Sequence, residues 1–434
     1  MGMNQKFNFF IYSVSFTLFI VQVIFAIMGI VDLRALLVSH VFLISSIIFL
    51  TEAVKRKKPF ISIFAILPLI ILAWYLVNLE RILTRLPFVF PISDVELVLG
   101  LLAIGLILYG TWVSVGWPMV ALVLFFLAYA TLLGPYMPGP LACRTIPLRE
   151  LIDYIFLGDG GIFGTPVYVS AVFVYLFILF GSFLRVSGGG RAFTNVALLV
   201  SGKSHGGAAK SAVIASSLFG MISGSAVANA VMVGTLTIPL MTRAGYTPVA
   251  AAAVEACAST GGQLMPPVMG AAAFLMAYIL GMSYWNVAIA AALPAILYYA
   301  MIFIYVDLEA RKYKIGKGVE VPTARDVLSS LYLFLPFFVI IVALILFYDV
   351  PSAAYMAFLS TLFVWTLEGV PKLRGVHRIL LSLMIFIFVT LCMYYRVDLL
   401  HLTIVIVAIT AIVTLFSRTK FSSSSHGVTL TGFF

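Results

Sequence analysis

The segment from Ser211 to Gly281 is apolar enough for a bilayer, yet Gly, Ser, Thr, Asn, Gln and Pro interrupt it throughout. Its only charged residues are Arg243 and Glu255. Such residues break helices and offer oxygen atoms. At membrane depth, irregular backbone is tolerated only where it is buried in protein or lines a cavity. A chain carrying this stretch is therefore expected to enclose a solute or ion site within the membrane.

The remainder of the sequence supports a membrane setting. Of 434 residues, 63% are hydrophobic and 10% are charged, against roughly 25% charged in soluble proteins. Apolar runs recur near the roughly 20 residues that a helical span needs. The runs are continuous rather than alternating, which excludes a transmembrane barrel. The fold class expected is thus an all-α polytopic membrane protein of about 12 transmembrane helices. The net charge of +10 fits basic cytoplasmic loops rather than nucleic-acid binding. Cys143, Cys257 and Cys392 lie far apart and suggest neither a disulfide framework nor a zinc site. The opening MGMNQKFNFFIYSVSF lacks a basic leader and a small-residue cleavage site, so the first run reads as a retained span.

Spans are expected near 9–31, 35–54, 60–78, 97–116, 118–137, 167–185, 285–306, 329–347, 352–369, 379–395 and 400–416. Residues 79–96 are amphipathic and proline-broken, which suits an interfacial helix. Residues 138–166 form a long loop rich in turn signals. Lys and Arg in short loops set the orientation. Lys55, Arg56, Lys57 and Lys58 place that loop, and hence the N-terminus, on the cytoplasmic side, where Arg418 and Lys420 also put the C-terminus. Arg185, Arg191, Lys203 and Lys210 follow on the same side.

Charge parity then resolves the unusual stretch. Lys210 and Arg243 both mark the cytoplasm, so residues 211–242 must return to the side they left. These 32 residues cannot cross twice, because two crossings need about 40. A re-entrant hairpin satisfies both constraints, with its tip near Ser223-Gly224-Ser225-Ala226-Val227-Ala228-Asn229. Residues 248–281 must cross once and are interrupted by Ser259-Thr260-Gly261-Gly262-Gln263 and Pro266-Pro267. A discontinuous helix fits them.

A hairpin tip and a helix break at one depth can hold ions. Half-helix C-termini and unwound carbonyls attract cations, and half-helix N-termini attract anions. Hard oxygen ligands for a small cation are available from Ser223, Gly224, Ser225 and Asn229 at the tip, and from Ser259, Thr260, Gly261 and Gly262 at the break. The alternative is that these small residues serve only tight helix packing. Glu255, an acid inside a span, either neutralises a cation, relays protons, or pairs with Arg243 near the cytoplasmic end. Ser201-Gly202-Lys203-Ser204 ends like a phosphate loop, but no strand precedes it. Gly188-Gly189-Gly190 reads as a flexible loop. The scattered histidines show no ligand spacing, and neither a Ser/His/Asp nor a Cys/His arrangement can be drawn. The chain is therefore not expected to be an enzyme, and no resident cofactor is expected.

The run GMISGSAVANAVMVGTLTIPLMTRAGY, followed by AAAVEACASTGGQLMPPVMGAAAFLMA, resembles the large membrane subunit of tripartite ATP-independent periplasmic (TRAP) transporters. The likeness covers roughly 95–345, including WPMVALVLFFLAYATLLGPYMPGPL and FLGDGGIFGTPVYVSAVFV. It is greatest to fused permeases that work with TAXI-type binding proteins, in which a small four-helix subunit precedes the large one. The resemblance implies a multi-pass permease of the cell (cytoplasmic) membrane. Such a permease is driven by sodium as coupling ion and receives a small organic anion, often a carboxylate, from an extracytoplasmic TAXI-type binding protein. It further implies sodium ligands among Ser223, Gly224, Ser225, Ser259, Thr260 and Gly261. Substrate contacts are implied from Ser225, Asn229, Gly262, Gln263 and Pro266.

On this reading residues 1–94 are small-subunit-like, 95–210 scaffold helices and 211–283 the hairpin and broken helix. Residues 284–416 are further membrane helices and 417–434 a polar tail. One departure stands out. The family's large subunit is an inverted repeat, but residues 320–434 contain plain Leu, Ile, Phe and Val runs without a second Gly/Ser/Thr-rich break. The expectation is a split half of an elevator-type transporter that needs a second permease chain. The alternative is a truncated or degenerate permease serving as a membrane scaffold.

Overall fold

A computed structural model describes residues 3–28, 32–57, 61–86, 88–315, 321–346, 349–368, 375–394 and 403–407. The expected tail 417–434, and all but 403–407 of the expected span at 400–416, lie outside the described residues. Helix is the regular structure throughout, and among the described residues there is no strand. Among the described residues, eight helices are long and apolar enough to cross a membrane, and shorter apolar helices accompany them. The chain is a polytopic, all-helical membrane protein. It divides into two compact units between Ala171 and Val172, within the apolar helix Thr165–Val186.

The first unit contains α1 (Met3–Met28), α2 (Leu33–Lys55), α3 (Ile61–Val77), α4 (Leu79–Thr84), α5 (Asp94–Ser114), α6 (Trp117–Ala128), α7 (Leu148–Ile152) and α8 (Thr165–Val169). Local chemistry fixes where these helices begin. Asp32 Oδ1 accepts from the Arg34 and Ala35 amides at the start of α2. Ser93 and Glu96 close a reciprocal capping box on α5. The segment expected as one interfacial helix over 79–96 is helical only at Leu79–Thr84. Its basic residues are drawn sideways instead: Arg81 pairs with Glu96, and Arg85 pairs with Asp153 in the later loop. Asp153 also accepts from the Phe88 amide at 3.0 Å.

The same loop is tied to α2. Buried Arg34 donates to the Leu157 and Gly158 carbonyls at 3.0 Å each and pairs with Asp159. Buried His40 on α2 bonds Gln22 on α1 at 3.0 Å and Ser170 at 3.1 Å. Tyr75 packs against Phe156 and Phe163 with ring centroids 5.6 and 5.4 Å apart. Residues before Asp94 are thus joined to the partly helical segment 153–170 by polar groups as well as by aromatic packing.

The second unit contains α9 (Tyr175–Val186), α10 (Gly189–Ser201), α11 (Gly207–Ser223), α12 (Ala226–Arg243), α13 (Pro248–Gly261), α14 (Ala271–Leu280), α15 (Tyr284–Lys312), α16 (Ala324–Ser329), α17 (Leu335–Ile345), α18 (Val350–Glu368) and α19 (Gly375–Tyr394). Helix α18 is buried along most of its length against α9 and α17. Gly188-Gly189-Gly190, expected as a flexible loop, instead turns the chain directly into α10. Helix α11 begins at Gly207, ahead of the expected Ser211. Lys210 lies inside its first turn, buried and paired with Asp307 on α15, so its charge is met within the protein rather than in a loop.

Candidate functional site

Helices α11 and α12 form the hairpin. Their 17 and 18 residues correspond to about 26 Å each at 1.5 Å per residue, short of the roughly 30 Å hydrocarbon core. Between them Gly224 adopts φ 57°. In this left-handed region glycine carries no Cβ penalty. Ser225 then caps α12 by accepting from the Ala228 amide at 3.3 Å.

Helix α13 starts at Thr247, whose hydroxyl accepts from the Ala250 amide, and at Pro248 in the first turn. It ends at Gly261. Residues 262–270 are not part of a regular helix, and α14 resumes at Ala271. The expected interruption is present, although α13 continues through Ser259 and Thr260 before it breaks. The released segment is held by the Gly270 amide, which donates to the Gln263 carbonyl at 2.8 Å. Tyr284 on α15 donates to the Pro267 carbonyl at 2.9 Å and also contacts the Val268 carbonyl. Tyr299 donates at 3.0 Å to the Ala258 carbonyl, one of those that the end of α13 leaves without an intrahelical donor.

The hairpin tip meets this break. The Val268 amide donates to the Met221 carbonyl at 3.2 Å. A Cβ on Gly224 would collide with the Met269 carbonyl, and one on Gly220 would stand 2.5 Å from Gly262 Cα. The contact is therefore made by backbone against backbone. It brings the C-terminal ends of α11 and α13 near the N-terminal ends of α12 and α14, so partial negative and partial positive charge converge on one place.

The candidate residues separate into four groups. Ser223, Gly224 and Ser225 form the half-buried tip. Asn229, Ser259 and Gly262 meet beneath it. Asn229 is fully buried, its Nδ2 donating to the Ser216 carbonyl at 2.8 Å and lying 3.5 Å from the Ser259 carbonyl. Its Oδ1 is buried with no protein partner. Thr260 and Gly261 are turned elsewhere. The Thr260 hydroxyl is exposed and donates back to the Ala256 carbonyl at 2.7 Å, while Gly261 packs on Tyr298 and Tyr299. Gln263 is exposed and Pro266 half-buried in the break itself.

Glu255 does not pair with Arg243, which is exposed. The acid is 1% exposed and accepts from Ser216 and Ser259 hydroxyls at 2.8 Å each and from the Thr237 hydroxyl. Ser216 and Thr237 were not among the sequence candidates. The signal that points to them is the acid itself: a buried carboxylate needs donors, and in this apolar stretch serine and threonine hydroxyls can supply them.

Discontinuous helices that meet at such breaks are a construction found in membrane transport proteins. The chain matches the family described as tripartite ATP-independent periplasmic transporter, DctM component, over residues 98–427, and it belongs to that family. It is 34% identical over 106 residues to the C4-dicarboxylate TRAP transporter large permease protein DctM of Pseudomonas aeruginosa, covering 24% of this chain and 25% of that one. It is 36% identical over 91 residues to the DctM protein of Rhodobacter capsulatus, covering 21% of each. It is likewise 36% identical over 91 residues to the uncharacterized protein YgiK of Salmonella typhimurium, covering 21% of each. The aligned segments thus span a quarter or less of these relatives. The family is one of transporter components.

Proposed function

We propose that this chain is the permease of a sodium-coupled TRAP-type system of the cytoplasmic membrane, with both termini cytoplasmic. It takes up a small carboxylate delivered by an extracytoplasmic TAXI-type binding protein, and residues 1–94 act as the fused small subunit. The observation that carries the reading is the meeting of tip and break. Two helix C-termini and the unpartnered Asn229 Oδ1 suit a small hard cation, and two helix N-termini suit an anion beside it. Ser223 and Ser225 hydroxyls add oxygens at the same place.

The hairpin and break supply one half of a two-fold site, and a second permease chain supplies the other. Reconstitution in proteoliposomes with the binding protein and a labelled dicarboxylate tests this. Uptake is expected only when an inward sodium gradient and the second permease chain are both present. Uptake by this chain alone refutes the half-site, and uptake driven by a proton gradient without sodium refutes the coupling ion.

The placement of the side chains refines which hydroxyl matters. Ser225→Ala removes a tip oxygen and is expected to weaken sodium-dependent thermal stabilisation by about tenfold in half-saturating concentration, the scale of losing one ligand or its support. Thr260→Ala is expected to leave it unchanged, because that hydroxyl faces away from the hairpin. A sodium titration followed by thermal shift checks both, and equal effects of the two substitutions would sink the assignment.

A further inference from the structure

Glu255 has no part in the ligand set above, yet its carboxyl group is 1% exposed and costly to bury. Its carboxyl group sits where three helices meet. Ser216 reaches it from α11, Thr237 from α12 and Ser259 from α13 itself. The Thr237 hydroxyl also lies 3.0 Å from the Val233 carbonyl, but a carboxylate is the stronger acceptor. Room for the acid is made by Gly234, where a Cβ would come within 3.0 Å of Glu255 Cγ. Three helices can be packed together by small residues without an acid. What an acid adds is direction, since each hydroxyl must point at it.

Two of those hydroxyl residues also hold Asn229. The Ser216 and Ser259 carbonyls both face Asn229 Nδ2. Carbonyls accept only from the NH2 side of the amide, so they fix which way the amide is turned and leave Oδ1 buried without a partner. Asn229 lies in the first turn of α12, its backbone N–H donating to the Ser225 carbonyl at 2.9 Å. A continuous path therefore runs from Glu255 through Ser216 and Ser259 to Asn229 and on to the tip.

We propose that Glu255 is the positioning residue of the transport site: it locks both hairpin legs onto the broken helix and, through Ser216 and Ser259, turns Asn229 Oδ1 toward the bound cation. The part concerning the cation rests on the sodium reading given above. The part concerning the hairpin does not. Glu255 itself does not touch the ion.

The test uses the full chain, with Cys143, Cys257 and Cys392 replaced by alanine. Met221→Cys and Val268→Cys are introduced where tip and break share a backbone hydrogen bond. Two quantities are read: the rate of disulfide formation between the new cysteines, and the sodium concentration that gives half of the maximal thermal stabilisation. Glu255→Ala is expected to slow the disulfide and raise the half-saturating sodium by about tenfold each, the scale seen when a supporting group behind a ligand is lost. Glu255→Gln, which keeps an oxygen acceptor and the side-chain volume, is expected to stay closer to the unsubstituted chain on both. Asn229→Ala is expected to raise the half-saturating sodium without slowing the disulfide, and Glu255→Ala added to it is expected to raise the half-saturating sodium less than it does alone.

An unchanged disulfide rate in Glu255→Ala overturns the proposal whatever the sodium response does. A slower disulfide with unshifted half-saturation, in a chain that responds to sodium, also overturns it, because a role confined to packing gives that pair of results. If the unsubstituted chain shows no sodium response while Glu255→Ala still slows the disulfide, the sodium reading fails and the positioning of the hairpin stands.

Discussion

Gly224→Ala is expected to reduce uptake by the reconstituted system at least about tenfold, because small displacements of site groups carry rate costs of that size or larger. Two penalties combine at this position. An alanine at φ 57° costs roughly 1–2 kcal/mol in the left-handed region. Its Cβ would also collide with the Met269 carbonyl, so the tip must move off the break. Gly281→Ala separates the two contributions. Gly281 has φ 62° but nothing within 4 Å of the Cβ position, so it carries the conformational cost alone. Uptake at matched membrane insertion should fall far more for Gly224→Ala than for Gly281→Ala. Equal losses would show that backbone conformation, not apposition of tip and break, limits the site.

The second large effect concerns stability. Arg85 and Asp153 form an ion pair in the first unit with side chains only 9% and 5% exposed. Removing one partner leaves the other charge buried, which costs about 3–5 kcal/mol. Arg85→Ala should show this loss in denaturation of the purified protein. Asp153 would then retain the Phe88 amide as a donor but no neutralising charge. Replacing both residues by leucine should recover most of the stability, since apolar residues of similar volume often substitute for a buried pair at little cost. A double variant as unstable as Arg85→Ala would mean that the hydrogen bonds of Asp153, not charge balance, hold this end of the unit.

The helical class and the hairpin were legible in the sequence for identifiable reasons. Apolar runs mark spans by composition, and Lys210 with Arg243 brackets a segment too short to cross twice. Length alone would not have sufficed, since Ala226–Arg243 is long and apolar enough to pass for a span. The break was legible because Gly261, Gly262, Pro266 and Pro267 cluster.

What was not legible depends on which way a helix faces. Ser259 and Thr260 are adjacent and similar in sequence, yet one is buried against Glu255 and the other is exposed. A single-residue step turns a helix by about 100°, and only the packed neighbours determine which of the two points inward. The partners of Arg34, Arg85 and Lys210 were hidden for a related reason. Each pairs across 68 to 125 residues of chain, so a charge assigned to a loop by parity turns out to be neutralised within the fold. The resemblance read from short motifs ends near 345, where plain Leu, Ile, Phe and Val runs begin, while the family match continues to 427.

The contact of Gly220 with Gly262 has a consequence for how this protein can vary. It is made by main-chain atoms, which every residue possesses and no rotamer adjusts. A side-chain interface can be loosened or tightened a methyl group at a time, with a neighbour repacking to absorb the change. At this crossing the smallest available substitution already adds an atom where there is no space for it. The seam between hairpin and broken helix therefore has no intermediate settings: diversification of substrate or ion preference has to come from residues around the crossing, while the crossing is either kept or lost whole.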